Sequence, residues 1–333
     1  MTGLVTGNSD LITRSELWSQ QLKELLRDEL DAQRWVDWLT EFPDGTTFTM
    51  PSVGDAVTQT IVEDVPVTYT SLDQGEFQFI IDRYIGSAHT ISEKNLLDSF
   101  YAERVLGSFV EKEHRAIMQV LESDILRAVG PNASQGGQTV SVHNAVNGYD
   151  HRYIGTGTSD TMAVDDFAYA KLALKKANVP MTQLVAIVDP NTAYTLETTS
   201  NITNISNNPM WEGIIESGLT TGMRYIRNVF GFDVYESNYL DSAGSGSTTT
   251  ETVTSVGHHS DNLAITNAGV QNIFFSAEPS VLPIVGAIRQ MPTVRAEFNK
   301  DIPREEVVTT AYWGVKLNRP ENLVVVITDT TAL

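Results

Sequence analysis

The chain has 333 residues, 42 acids against 22 bases and no cysteine, for a net charge of −20. The missing thiols exclude disulfides, zinc–thiolate centres and cysteine nucleophiles together. So acidic a surface is repelled by phosphate backbones and anionic lipid, which argues against tight nucleic-acid binding, and no run of eighteen apolar residues offers a membrane span.

The start, Met1-Thr-Gly-Leu-Val-Thr-Gly, has neither a basic n-region nor an apolar h-region, so no signal peptide is expected. The spacing predicts an amphipathic helix over Arg14 to Thr40. Leu17, Trp18, Leu22, Leu25, Leu26 and Leu30 share one face, and Trp35, Trp38 and Leu39 continue it. Its polar face mixes Lys23, Glu24, Arg27, Asp28 and Asp31, which argues against a membrane-surface helix. Phe42-Pro43-Asp44-Gly45 ends it.

From Thr46 to Ile91 the pattern switches to period two. Thr46–Met50, Val57–Ile61, Val67–Ser71 and Glu76–Ile85 alternate and are rich in threonine and aromatics, with a turn signal at Asp73-Gln74-Gly75. These residues predict an extended hairpin. An isolated hairpin is marginal in water, so it needs a surface to lie on. The ordinary alternative is a small meander folded onto its own domain.

Ser92 to Val129 contains no proline and a single glycine, Gly107. Apolar residues from Leu96 to Val129 recur at spacings of three and four, which predicts one long helix with Ser92 as N-cap and Gly130-Pro131 as its stop. At 1.5 Å per residue it would run roughly 55 Å. A compact chain of this length has a diameter on the order of 50 Å, so the helix would span the molecule. A bundle or coiled coil is the ordinary use of such a helix. The following segments do not read as partner helices, and strict heptads are absent.

Pro131 to Ser159 is loop-like and glycine-rich. Asp165 or Asp166 caps a helix through Val179, and Leu184-Val-Ala-Ile-Val-Asp189 reads as a buried strand. A helix is predicted from Asn208 to Ser217, and strands at Phe232–Ser237 and Asn262–Thr266 flank an exposed Ser/Thr/Gly loop over 241–260. Val307–Trp313 and Leu323–Ile327 are strongly β in propensity.

Catalytic signatures are missing: no phosphate-binding loop, H-E-x-x-H or G-x-S-x-G occurs. Gly155-Thr-Gly157 reads as a flexible loop, and His258-His259 as a solvated pair. The carboxylate pairs Asp165-Asp166 and Glu305-Glu306 are expected in so acidic a chain, and nothing selects one for hydrolysis. Asn201 and Asn204 match glycosylation acceptors, which mean nothing without secretion.

The order of arm, hairpin, strut helix, α/β region and β-rich tail resembles the major capsid proteins of tailed bacteriophages, which share the Hong Kong-ninety-seven fold. Phe48–Asp55, Val188–Asn191, Gly231–Leu240, Asn299–Glu306 and Tyr312–Glu321 carry the local likeness. The resemblance implies an α+β fold of four parts. Residues 1–45 would be an N-terminal arm and 46–91 an extended β-hairpin loop. Residues 92–135 and 283–333 would be a peripheral domain with its spine helix, and 136–282 an α/β axial domain. It implies no enzyme, catalytic residue, cofactor or metal. It implies a protein that self-assembles as hexamers and pentamers into the icosahedral shell around double-stranded DNA, located in the virion and assembled in the host cytoplasm. The implied partners are further copies of itself, a separate scaffolding protein and a portal at one vertex, with decoration or cement proteins as additions it allows and no membrane. An encapsulin-like bacterial compartment shares the fold and is the alternative; a soluble acidic enzyme is the reading from a different class.

Some relatives weld subunits through a lysine of the extended loop. Between Thr46 and Ile91 this chain has no lysine, and Arg83 is its only base, so no covalent cross-link is expected. The loop's acids, among them Asp55, Glu63, Asp64, Asp73 and Glu76, are expected to meet Arg295, Lys300 and Arg304 of a neighbouring subunit.

Overall fold

The computed structural model describes residues 32–40, 45, 47–53, 58–61, 63, 64, 66, 69, 74–94, 102–129, 145–198, 225–243, 251–253, 263–265 and 269–329. The predicted helices over 14–31 and 208–217, His258-His259, Asn201 and Asn204 lie outside them.

Two sheets share one core. The first has the order β1 (Val36–Trp38), β15 (Ile284–Asn299), β16 (Arg304–Leu317) and β4 (Arg83–Ser92). The spine helix α1 (Ala102–Arg127) packs on one face of it. The second sheet runs β7 (Arg152–Ile154), β17 (Val324–Asp329), β14 (Gly269–Ser276), β8 (Leu184–Val188), β10 (Phe232–Glu236) and β9 (Tyr225–Val229), with β11 (Ser242–Ala243) against β14. The tail is therefore divided: β15 and β16 belong to the first sheet, and β17 lies in the second, between β7 and β14. Two short ribbons stand apart from both, β5 (Ala145–Val146) with β6 (Tyr149–Asp150) and β12 (Glu251–Val253) with β13 (Leu263–Ile265).

Leu184–Val188 and Leu323–Ile327 are uniformly apolar because their sheet is covered on both faces. Val185, Ile187, Val325 and Ile327 face the core shared with Ile117, Leu121 and Ile125 of α1. Leu184, Ala186, Val188, Val324 and Val326 face a second core under α2 (Val164–Lys176) and α3 (Pro190–Thr198), closed by the edge-to-face rings of Phe167, Phe232 and Phe274. Neither β14 nor α3 was expected from the pattern.

The hairpin is β2 (Thr47–Val53) against β3 (Gln74–Ile80) in antiparallel register from Thr47–Ile80 to Val53–Gln74. The expected strand over 76–85 is broken at Ile81-Asp82; beyond them the chain enters β4 and pairs along β16. Residues 58–61 are not a strand.

Local expectations change at residues 35–38, at Ser92, which ends β4 instead of capping the helix, and at Gly155 and Gly157. Trp35 and Trp38 do not continue a helix. Ala32–Trp35 is a 3₁₀ turn, and β1 pairs parallel with Ile284–Gly286, because burying aromatic and β-branched side chains outweighs the helical spacing. The described part of α1 is 26 residues, about 39 Å, with Glu93 and Lys94 also helical after Ser92 ends β4. Gly155 and Gly157 form a packed turn rather than a flexible loop. Their N–H groups donate to the carbonyls of Ile327 and Thr161, and a Cβ on Gly155 would lie 2.5 Å from the Thr161 carbonyl oxygen.

Candidate assembly surfaces

The spine helix carries three buried acids on the side that also presents Ile117, Leu121 and Ile125. Two of them reach β16 and β4, and the third holds the 32–39 segment. Glu113 accepts from Thr309 Oγ1 at 2.6 Å and lies 3.2 Å from His89 Nδ1, tying β16 and β4 to the helix. Asp124 accepts from Trp313 Nε1 and Arg83 Nε, both at 3.1 Å. Glu122 takes the Ala32 N–H on both oxygens, at 2.9 and 3.0 Å. Acids set on an apolar stripe are the sequence signal for such anchors, and nothing in local spacing marks which partner each one meets.

Residues 32–39 act as a strap between the two sheets. Trp35 packs edge-on against Tyr235 and Phe275 of the second sheet, while β1 pairs with β15 of the first. Arg34 lies over the Trp35 and Tyr235 rings. The root of the arm therefore packs on its own subunit.

The hairpin root is fixed as firmly. Tyr312 donates its hydroxyl to the Ile81 carbonyl at 2.7 Å, and Lys316 Nζ donates to the Gln78 carbonyl at 2.5 Å beneath the Phe77 ring. Burial pushes the Lys316 ammonium below its ordinary pKa. A Cβ on Gly314 would lie 2.8 Å from the Ile80 carbonyl oxygen, so only glycine admits the crossing. Beyond that root the hairpin pairs only with itself among the described residues.

On the helix that covers the second sheet, Asp166 accepts from Ala163 N at 2.7 Å and from Thr156 Oγ1 at 2.8 Å, closing the start of α2 as expected of one of the two aspartates; Asp165 is exposed. Burial, then the neighbouring Asp166 charge, raises the Tyr153 hydroxyl well above its usual value. These groups are hydrogen-bonded to structure and not arranged around a cleft. No group of three His, Asp or Glu among the described residues is placed to hold a metal, and no helix among them is long and apolar enough to cross a membrane.

The expected contact residues fall on two separate places. Glu63 and Asp64, between β2 and β3 in the chain, are exposed, and Glu76 is exposed on β3; Asp55 and Asp73 lie outside the described residues. Arg295 is exposed on β15 and Lys300 in the β15–β16 turn. Arg304, on β16, is bound within its own strand, donating to Glu306 Oε1 at 2.6 Å. Among the described residues, no ion pair joins the two groups within one subunit. At the end of the β15–β16 arm Met291, Val294, Phe298 and Ile302 are also exposed.

No family model and no curated protein matches the chain in sequence. Solved structures do match, over nearly its whole length. The cyanophage Pam1 capsid subunit is 13% identical with a TM-score of 0.67, covering 99% of each chain. The capsid of cyanophage P-SCSP1u is 14% identical at 0.65, covering 97% of this chain and 94% of that one. A structure from Mycobacterium phage Che8 is 18% identical at 0.62, covering 96% and 97%. The fold is that of a tailed-phage major capsid protein. The α+β Hong Kong-ninety-seven architecture expected from the order of elements is thus the observed one.

Proposed function

We propose that this capsid fold serves a capsid function: the chain is the shell subunit of a phage head, with no catalytic role. The carrying observation is that likeness to phage capsid subunits extends across both chains from end to end. Copies would join as hexamers and pentamers into an icosahedral shell around double-stranded DNA, with a separate scaffolding protein and a portal at one vertex. Assembly would take place in the host cytoplasm.

The geometry supports this reading in two ways. A ring of identical subunits needs two different complementary faces on each chain. The hairpin, rooted at Gly314 and Lys316 and paired beyond them only with itself among the described residues, would offer its acids Asp55, Glu63, Asp64, Asp73 and Glu76 to the adjacent copy. Arg295, Lys300 and Arg304 of the adjacent copy supply basic groups. The net charge of −20 would also keep the wall from trapping the DNA inside it.

The test is electron microscopy and light scattering of the full chain expressed with its scaffolding partner. Closed shells containing rings of five and six are expected, and nucleic acid in the particles from infected cells. A persistent monomer overturns the reading; shells that hold protein cargo and no DNA would replace it with a non-viral cage.

A further inference from the structure

The sheet of β1, β15, β16 and β4 is unfinished along β15. β1 covers only Ile284–Gly286, and no described strand pairs with the outer edge beyond it. From Thr293 to Asn299 that edge is regular, in unbroken register with Thr310–Arg304 on its inner side. Edges of this length are normally blunted by proline, a bulge or inward charge, because their free N–H and C=O groups template another strand. Here they are combined with exposed apolar groups: Val294 is 41% and Phe298 50% accessible.

Register places the side chains. Val294, Ala296 and Phe298 lie opposite Thr309, Val307 and Glu305; Thr309 bonds Glu113 of the spine helix, so this row is on the helix side. Arg295 and Glu297 lie on the other face. Glu297 stands directly opposite Glu306, an unfavourable like-charge pair across strands. Glu306 is compensated by Arg304 and by Asn299 Nδ2 at 3.1 Å. Glu297 and Arg295 have no ionic partner among the described residues.

We propose that residues 293–299 pair antiparallel with the same segment of a second copy, about a two-fold axis through Ala296. Pleat parity requires such an axis to pass through a residue, since opposed side chains must share a face. Centring it on Ala296 sets Arg295 against Glu297 of the second copy, and Glu297 against its Arg295, which takes Arg295 out of the set offered to the hairpin acids and leaves Lys300 and Arg304 to them. It sets Val294 against Phe298 twice on the helix side, and Thr293 against Asn299. An axis through Arg295 or Glu297 would oppose like charges instead. The segment Thr-Val-Arg-Ala-Glu-Phe-Asn is therefore self-complementary in charge and in apolar bulk, as an isologous contact demands. This contact is of a different kind from the head-to-tail contacts of a ring. It rests on the capsid reading only in its use, which would be to join one ring to the next.

The chain has no cysteine, so an engineered thiol reports one contact. Ala296→Cys, oxidised and run on a non-reducing denaturing gel, is expected to give a dimer band. Thr90→Cys, exposed on β4, is expected to stay monomeric. Adding Arg295→Glu to Ala296→Cys should lower the dimer yield roughly tenfold, and adding Glu297→Arg as well should restore it. A monomer band from Ala296→Cys overturns the pairing, whether or not shells are seen in the same sample under reducing conditions. Failure of Glu297→Arg to rescue Arg295→Glu also overturns it, and assigns Arg295 to the hairpin acids of a neighbour. Absence of shells, by contrast, bears on the capsid reading and not on the band.

Discussion

Glu122 is a carboxylate at 0% exposure that spends both oxygens on the backbone N–H of Ala32. A hydrogen bond to a charged group is worth about 1.5–3 kcal/mol. Glu122→Ala is therefore expected to lower the unfolding free energy by about 2 kcal/mol in urea, and to raise hydrogen exchange at residues 32–38; an unchanged midpoint would remove its anchoring role. Glu306 gives a prediction of opposite visibility, at the surface. The Asn299 amide, then the Arg304 guanidinium, hold its carboxyl below the ordinary glutamate value. Because the folded value is depressed, this stabilisation is present above the ordinary value and is lost as pH falls through the lower folded one. The stability gap between the parent and Glu306→Gln should thus be full at neutral pH and close in acid, as read by urea midpoints across a pH series.

At the scale of elements, the hairpin depends on a crossing only glycine permits. A Cβ at position 314 meets the Ile80 carbonyl at 2.8 Å and the Ile81 Cα at 3.0 Å. Gly314→Ala is expected to cost about 1–3 kcal/mol, the usual range for overpacking, and to speed proteolysis within residues 47–80. Equal proteolysis rates would show that the root is not what positions the hairpin. The strap over 32–39 works differently. It touches α1 through Glu122, the second sheet through Trp35 and the first through β1, so a short segment fixes the angle between two sheets.

For the whole molecule, the expectation of uncoupled subunits follows from composition. The segment over 46–91 offers no lysine. Mature particles run on a denaturing gel should give a single monomer band, and a ladder would contradict this. The four-stranded sheet, open along β15, and the hairpin, paired only with itself beyond its root, leave one copy with surfaces that its own described residues do not close.

Much of this was legible in the residues themselves. Period-two runs, the three-and-four spacing of the spine and the unbroken apolar runs at 184–188 and 323–327 are local patterns, and each reports which faces its element buries. The Hong Kong-ninety-seven order of elements was legible for the same reason. Other features needed the third dimension. Val36–Trp38 continues a helical spacing yet is a strand because Ile284–Gly286 lies beside it. Gly155 and Gly157 look like loop glycines until Thr161 is seen against them. The sharing of the tail between two sheets, and the anchoring by Glu113, Glu122 and Asp124, join residues far apart along the chain. Propensity and periodicity act between near neighbours; hydrogen-bond partners and packing limits are set by whatever the fold brings alongside.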